Sequence, residues 1–157
     1  MSHTAELMSV GTEILLGNIA TTDAQMLSEE LAALGVNVLY HTVVGDNPTR
    51  LAEALELARR RVDIVITTGG LGPTYDDLTK QTICTVFGRK NVFHPEIADA
   101  LRTHFASIGR ELTENNLQQA YLPENCTIFR NHNGTAPGCG FCEGGVHVLM
   151  LPGPPHE

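Results

Sequence analysis

The chain has 157 residues and a formal net charge of −8 at pH 7, with 42% hydrophobic and 18% charged residues, the composition of a globular domain rather than a disordered segment. Because duplex nucleic acids and anionic membranes require a basic face, this charge argues against both as partners. No apolar run approaches the ~20 residues that cross a bilayer, and the N-terminus lacks the pattern of a secretory signal, so we expect one cytoplasmic domain.

The first part of the chain alternates strand and helix patterns. The apolar run Glu6–Val10 predicts a strand, and a loop, "GTEILLGNIATT", follows it. A one-sided apolar stripe predicts a helix over Asp23–Leu34, with Thr22 as its N-cap. Alternation in Val36–Val44, with Val36, Val38, Tyr40 and Val44 on one face, predicts a second strand.

The alternation continues in the second part of the chain. A helix is predicted from Pro48, a strand buried on both faces over Val62–Thr68, and further helices from near Asp77 and over His94–Ile108. "TENNLQQA" predicts a short helix, and "TIFRN" and "VHVLML" predict strands. This order predicts a three-layer α/β/α fold with a mostly parallel sheet. Since the chain stops soon after the last predicted strand, we expect the natural protein to continue beyond residue 157.

Four unusual loops each follow a predicted strand: "GTE", "GDNP", "GGLGPTYDD" and "PGPP". In a parallel sheet such loops lie along one edge, where the carboxyl ends of the strands form a crevice. The carboxylates that these loops carry are therefore expected to converge, although they are far apart in sequence: Glu13, Asp46, Asp76 and Asp77.

The glycine-rich loop has the composition of an anion site. Gly69, Gly70 and Gly72 allow positive φ and close approach of a ligand, and a helix from Asp77 would add the positive end of its dipole. The loop is neither a Walker sequence nor a G-x-G-x-x-G fingerprint, and it contains no lysine.

The two aspartates that end this loop have two interpretations. Asp76 or Asp77 could cap the following helix, with Thr74 and Asp77 as a capping pair. Alternatively one or both could hold a divalent metal (Mg, Co or Mn) that bridges to phosphate oxygens, which would reverse the sign of the local field. Glu13 could be a surface acid and Asp46 a turn residue, or both could belong to the site.

The cysteines are Cys84, Cys126, Cys139 and Cys142, which we interpret as reduced thiols. "CGFC" alone is weak evidence for a zinc or redox site, because a closed zinc site needs four ligands. The seven histidines lack the close spacing of a zinc enzyme.

Four stretches together resemble a known family: "SVGTEILLGNIATTDAQMLSEELAALG", "VITTGGLGPTYDDLTKQTI", "LTENNLQQAYLPENCTIFRNHNGTAPG" and "LMLPGPPHE". In this order they resemble the N-terminal domain of the CinA competence/damage-inducible family, within the wider MogA and MoaB type of molybdopterin-binding proteins. The resemblance covers nearly the whole chain and implies one such domain over residues 1–157. It also implies a small nucleotide or pterin ligand and a homo-oligomer, either dimer or trimer.

The resemblance implies metal-dependent hydrolysis of ADP-ribose-like pyrophosphates, with Asp76, Asp77 and Glu13 as catalytic residues and metal ligands. It further implies substrate contacts from a second set: Gly69, Gly70, Gly72, Thr74, Asp46, Asn115, Pro152, Gly153 and Pro154. The alternatives are a molybdopterin or nucleotide-binding module without turnover, or a fragment that only supports assembly. Longer members carry a domain that deamidates nicotinamide mononucleotide, an activity not expected of this sequence. Asp23 stands where relatives usually have asparagine, so a contact that needs an amide donor is in doubt.

Overall fold

We describe residues 2–18 and 20–153 of a computed structural model of the chain. Its strands are β1 (Thr4–Val10), β2 (Asn37–Val44), β3 (Ile64–Thr68), β4 (Asn91–Phe93), β5 (Tyr121–Pro123), β6 (Thr127–Phe129), β7 (Gly138–Glu143) and β8 (Val146–Leu151). Its helices are α1 (Thr12–Leu15), α2 (Thr22–Ala33), α3 (Pro48–Ala58), α4 (Thr79–Phe87), α5 (Pro95–Ser107) and α6 (Glu114–Leu117), which a 3₁₀ turn extends over Gln118–Ala120. None of the helices in these two ranges combines the length and the apolar composition that a bilayer crossing requires.

Six strands form the central sheet in the order β2-β1-β3-β8-β7-β6. The first four of these are mutually parallel, whereas β7 and β6 are antiparallel to their neighbours. The predicted mostly parallel sheet is confirmed, and the carboxyl ends of β1, β2, β3 and β8 lie at one edge. The small strands β4 and β5 pair separately as an antiparallel ribbon.

Helices cover both faces of the sheet, which confirms the predicted three layers. On one face, Leu51 and Leu55 of α3 pack with Val65 of β3. On the other face, Ala24 of α2 packs with Ile66 of β3. Complete burial of one such leucine contributes about 1.5–3 kcal/mol. The adjacent residues Val65 and Ile66 are thus buried on opposite faces, as predicted for a central strand.

The segment between β1 and α2 departs from the prediction of a plain loop. It contains the single helical turn α1, and Asn18 and Gly17 then close it through backbone hydrogen bonds to Glu13 and Ile14. Thr22 is the first residue of α2 rather than its N-cap. Thr21 occupies the N-cap position and makes no side-chain capping bond.

The predicted single face of β2 is also wrong. A β-bulge shifts the register, so that Val38 pairs with Ala5 while Tyr40 pairs with Glu6. Val38 therefore packs on the α2 side, whereas Tyr40 lies under the guanidinium of Arg61 on the other side. A bulge adds one residue to a strand and moves the following side chains to the opposite face.

Strands β4, β5 and β7 were not predicted. The β7 sequence, "GCGFCE", has no period-two pattern. Its glycines occur where the backbone of β8 approaches closely. A Cβ on Gly138 or Gly140 would lie 3.0 or 3.2 Å from a carbonyl oxygen of β8. Close approach of the two backbones, rather than side-chain alternation, makes this segment a strand.

Candidate functional site

A cavity of about 270 Å³ opens at the carboxyl edge of the sheet, and we call it the rim cavity. Its described lining comes from the ends of β1 and β3, the first turns of α1 and α2, and the loops after β2, β3 and β8. The predicted convergence of carboxylates is confirmed, with one addition from α2, and the five acidic lining residues are Glu13, Asp23, Asp46, Asp76 and Asp77. The predicted residues Gly69, Gly70, Thr74 and Gly153 line it as well.

The glycine pair at the end of β3 has a backbone that only glycine adopts without strain. Gly69 and Gly70 have φ of +89° and +71°. A Cβ on Gly69 would overlap the carbonyl oxygen of Val10, and one on Gly70 would overlap the hydroxyl of Thr79. The amide of Gly69 donates to Leu151 at 3.1 Å, so this amide serves the fold and is not available to a ligand. Because these two residues have no side chains, their backbone forms one wall of the rim cavity.

Asp77 closes the glycine-rich loop and does not cap a helix. Helix α4 begins at Thr79, two residues later than predicted, and its N-cap residue, Leu78, makes no side-chain bond. The Oδ2 atom of Asp77 instead accepts from the amide and the hydroxyl of Thr74, at 2.7 and 2.5 Å. The predicted pairing of Thr74 with Asp77 is confirmed, but the capping role is wrong, because both residues precede the helix.

Gly72 contributes indirectly and is not among the described lining residues. A Cβ at this position would lie 2.8 Å from Oδ2 of Asp77. Glycine here makes room for that carboxylate, which places Asp77 at the rim cavity.

The first turn of α2 lines the rim cavity, and α4 begins beside its glycine pair, where the hydroxyl of Thr79 donates to the carbonyl of Gly69 at 3.0 Å. Thr21, Thr22 and Asp23, at the start of α2, line the cavity, whereas Thr79 at the start of α4 is outside the described lining. A helix of this length carries roughly half a positive charge at its N-terminus. The start of α2 therefore adds a second helix N-terminus to the one that we predicted near Asp77.

Asp46 connects the loop after β2 to helix α1 through hydrogen bonds. Its Oδ2 accepts from the amide of Thr12 at 2.9 Å, and its own amide donates to the hydroxyl of Thr12 at 3.0 Å. This reciprocal pair joins the loop after β2 to the first turn of α1. Asp46 thus has a structural function in addition to its place in the cavity lining.

Three of the five carboxylates have no hydrogen bond or ion pair to any described residue: Glu13, Asp23 and Asp76. Glu13 folds back over Gly11, where a Cβ would lie 2.5 Å from its Oε1 atom. No lysine, arginine or histidine occurs in the described lining. Carboxylates so close together repel an anion, and a phosphate would therefore bring a counter-charge with it.

The carboxylates do not form a complete metal site by themselves. Within residues 2–18 and 20–153, no three His, Cys, Asp or Glu side chains are arranged to hold a metal ion. Magnesium in phosphate-handling sites is usually bound by one or two carboxylates together with substrate oxygens and water. The unpaired carboxylates of the rim cavity fit a cation that is shared with a ligand in this way.

A buried lysine lies in the first turn of α4, and no sequence pattern predicted its burial. Lys80 is 3% exposed, and its Nζ donates to the carbonyl of Gln118 at 2.9 Å. Burial lowers the pKa of Lys80 to about 8, and the nearby Asp77 acts in the opposite direction. Lys80 carries the cationic charge closest in sequence to the aspartate pair, but it is not in the described lining.

Three other predicted residues are not placed in the cavity wall. Asn115 lies on α6, and neither it nor Pro152 is among the described lining residues. Asn115 is exposed at the second position of α6, beside the capping box of Thr113 and Asn116. Pro154 lies outside the described residues.

The four cysteines differ in exposure. All four carry free thiols, as predicted. Within "CGFC", Cys139 is buried and Cys142 is exposed, because residues three apart on a strand face opposite sides.

A family model described as "Probable molybdopterin binding domain" matches residues 6–157. The chain belongs to this family. Among curated relatives, a "Putative competence-damage inducible protein" of Acetivibrio thermocellus is 55% identical over 153 residues, which are 98% of this chain and 37% of that protein. A protein of the same description from Clostridium acetobutylicum is 53% identical over 152 residues, 97% of this chain and 37% of that protein. The chain thus spans about 37% of the length of these relatives.

Solved structures agree with this assignment. The crystal structure of "the protein CinA with unknown function" from Thermoplasma acidophilum has a TM-score of 0.85 and 34% identity, and the match covers 98% of this chain and 90% of that one. A molybdopterin biosynthesis enzyme, MoaB, from Thermus thermophilus has a TM-score of 0.63 and 20% identity, over 98% of this chain and 82% of that one. The second similarity supports the fold alone. The resemblance to CinA and to the MoaB and MogA type is confirmed.

Proposed function

We propose that this CinA-like domain hydrolyses the diphosphate of ADP-ribose-like nucleotides with the help of a divalent cation. The observation that supports the proposal is the rim cavity itself. It combines unpaired carboxylates, a glycine turn without side chains and a helix N-terminus, and its described lining includes no basic residue. Such a cavity suits a cation and a phosphate bound together better than either alone.

The roles follow from which carboxylates are unpaired. Asp76 and Glu13 are free to contact a cation, and Asp77 offers its Oδ1 atom while Oδ2 holds Thr74. A bound cation would polarise the phosphate and lower the pKa of a water molecule. Glu13 has no protein partner to occupy its oxygens, so it can accept the proton that such a water releases.

The remaining groups bind and orient the substrate. Gly70 leaves space for phosphate oxygens against the wall of the cavity, and the N-terminus of α2 favours their negative charge. Asp46 holds the first turn of α1 through Thr12, which fixes the direction of the neighbouring Glu13. Positioning of this kind contributes to rate by keeping reacting groups in a productive geometry.

A second candidate is binding of a molybdopterin or nucleotide without turnover. It is supported by the description of the matching family and by the absence, in the described residues, of a metal site complete without substrate. The two candidates differ in their requirement for metal. Tight binding of a pterin or nucleotide in EDTA, with no product formed when Mg²⁺ or Co²⁺ is added, would favour the second.

The deciding experiment is to incubate the protein with ADP-ribose and Mg²⁺, Co²⁺ or Mn²⁺ and to measure AMP by chromatography. We expect AMP only when metal is present. Asp76→Asn and Glu13→Gln should each reduce its formation by about 100-fold or more, the effect of removing one electrostatic contact to a reacting phosphate. Glu30→Gln on α2, which changes an exposed carboxylate outside the described lining, is the matched control and should retain activity. No AMP with any of the three metals would contradict the proposal.

A further inference from the structure

The rim cavity is too small for a whole dinucleotide. Sites for small-molecule ligands usually measure about 300–1,000 Å³, whereas the rim cavity has a volume of about 270 Å³. This volume suits a diphosphate with its cation. If the proposed function holds, on which this inference rests, the groups attached to the two ends of the diphosphate must lie beyond the cavity.

A second depression continues from one side of the rim cavity, between α2 and β2, and we call it the α2 groove. It has a volume of about 440 Å³ and shares Ala20, Thr21 and Thr22 with the rim cavity. Beyond these shared residues its polar lining consists of Gln25, Ser28, Glu29 and His41. A ligand anchored in the rim cavity can therefore extend along the N-terminal turns of α2 into this groove.

Hydrogen bonds within the chain determine which polar atoms of the groove remain available to a ligand. The hydroxyl of Ser28 donates to the carbonyl of Ala24 at 2.7 Å, so its oxygen accepts in the 2.8 Å contact with Nε2 of His41. The contact thus requires a proton on Nε2, which leaves Nδ1 as the acceptor when the imidazole is neutral. Glu29 receives one bond, from Gln25 at 3.2 Å to its Oε1 atom, and its Oε2 atom has no partner among the described residues.

The groove therefore offers a carboxylate oxygen and an imidazole nitrogen as acceptors, with threonine hydroxyls at its entrance. Its described lining includes no Phe, Tyr, Trp or large aliphatic side chain that would stack on a nucleobase. Neighbouring hydroxyl groups of a sugar are the donors that this set of acceptors fits, and a carboxylate is a common partner of ribose hydroxyls. We propose that the α2 groove binds the terminal sugar of a sugar-linked nucleoside diphosphate, with Glu29 and His41 as the residues that recognise its hydroxyls.

The test compares binding of two ligands that carry the same diphosphate charge. ADP-ribose has the terminal sugar, and the β-methyl ester of ADP lacks it. Calorimetric titration in Mg²⁺ at low temperature, over a time in which little AMP forms, should show that the unmodified protein binds ADP-ribose about tenfold more tightly, the free energy of roughly one hydrogen bond to a charged group. Glu29→Gln and His41→Gln should each remove most of this preference without changing the affinity for the methyl ester. Glu30→Gln, one position along α2 and outside the described groove lining, should leave the preference intact.

Each outcome has a separate meaning. Equal affinity of the unmodified protein for the two ligands, or an unchanged preference in both groove variants, would overturn the sugar assignment. Thermal melting of the variants shows whether they are folded, and the second variant keeps the test decisive if the first is unstable. AMP release is measured in the same samples. A preference for ADP-ribose without AMP release would refute the proposed hydrolysis but support sugar binding in the α2 groove. AMP release without this preference would support the hydrolysis and refute sugar binding in the groove.

Discussion

The carboxylates near the two ends of strand β1 differ in burial and in hydrogen bonding. Glu6, near the amino end, is fully buried, and its oxygens accept from Arg61 at 2.9 and 2.8 Å and from Thr42 at 2.6 Å. Just past the carboxyl end, Glu13 lines an open cavity beside other acids, without a hydrogen bond or ion pair to a described residue. The same strand thus leads from a buried carboxylate with three hydrogen bonds inside the chain to one with none to a described residue.

The difference shows which charges serve the fold and which are available to a ligand. An ionised carboxylate costs several kcal/mol to remove from water, so a buried one is found with a cation and hydrogen bonds. Arg61 provides the cation, and Tyr40, whose ring centroid lies 3.6 Å from the guanidinium, holds Arg61 in place. At the rim cavity water can reach the carboxylates, so they need no partner for folding. Like charges left together at an open site are therefore more informative about function than a satisfied buried pair.

The largest effect on stability is expected from breaking the buried pair. Arg61→Met should lower the free energy of unfolding by about 3–5 kcal/mol, because Glu6 would remain buried without its cation. Urea unfolding at pH 7 measures the change. Arg60→Met is the control. The Arg60 side chain is 74% exposed, and its Nη2 atom lies 3.8 Å from Oε2 of Glu56, a long surface ion pair. This variant should lower the free energy of unfolding by less than about 1 kcal/mol. If the two variants were equally stable, Glu6 would not depend on Arg61 as we infer.

A somewhat smaller effect is expected at Lys80, a buried cation that has a carbonyl rather than a carboxylate as its hydrogen-bond acceptor. Its pKa falls from 10.5 in the unfolded chain to about 8 in the folded protein. Between these values the unfolded state holds a proton that the folded state has lost, so this residue contributes stability as pH rises from 8 to 10.5. The shift corresponds to roughly 3 kcal/mol.

Comparison with Lys80→Met measures this contribution against an opposing trend from Cys84, because burial raises the pKa of that thiol to about 11. Urea unfolding at pH 7 and pH 10 measures the free energy of unfolding of both proteins. This free energy should be higher, relative to that of the variant, for the unmodified protein at pH 10 than at pH 7. Lys90→Met, at an exposed lysine, should show no such change in the difference. A difference that is the same at both pH values would mean that Lys80 titrates normally.

The smallest effect is expected at the rim cavity itself. Glu13→Gln or Asp76→Asn should leave the free energy of unfolding within about 0.5 kcal/mol of the original, or raise it slightly at low salt, because each removes repulsion and no hydrogen bond. Thermal unfolding in 20 mM and 500 mM salt measures this. A loss of more than 2 kcal/mol would mean that these carboxylates have structural partners and would weaken their assignment to a ligand.

Much of the fold could be predicted from the sequence because its signals are local. The period of apolar residues marks α2, α3 and α5, and consecutive β-branched residues mark β3 as a central strand. Strand β7 could not be predicted, since Gly138 and Gly140 are there to admit the backbone of β8, which is a contact between distant parts of the chain. The bulge in β2 was missed for a similar reason, because only its pairing with β1 reveals it.

The sequence by itself determined that acidic loops follow the strands and that parallel pairing brings them to one edge, since all parallel strands end on the same side of a sheet. Only the tertiary structure decided what each acid does there. It joined Asp46 to Thr12, left Glu13 and Asp76 without a hydrogen bond to a described residue, and placed the N-terminus of α2 at the cavity. These outcomes depend on distances between segments far apart in the chain, such as the 2.9 Å from the amide of Thr12 to Oδ2 of Asp46. Residue type and spacing do not encode such distances, whereas packing of the whole domain fixes them.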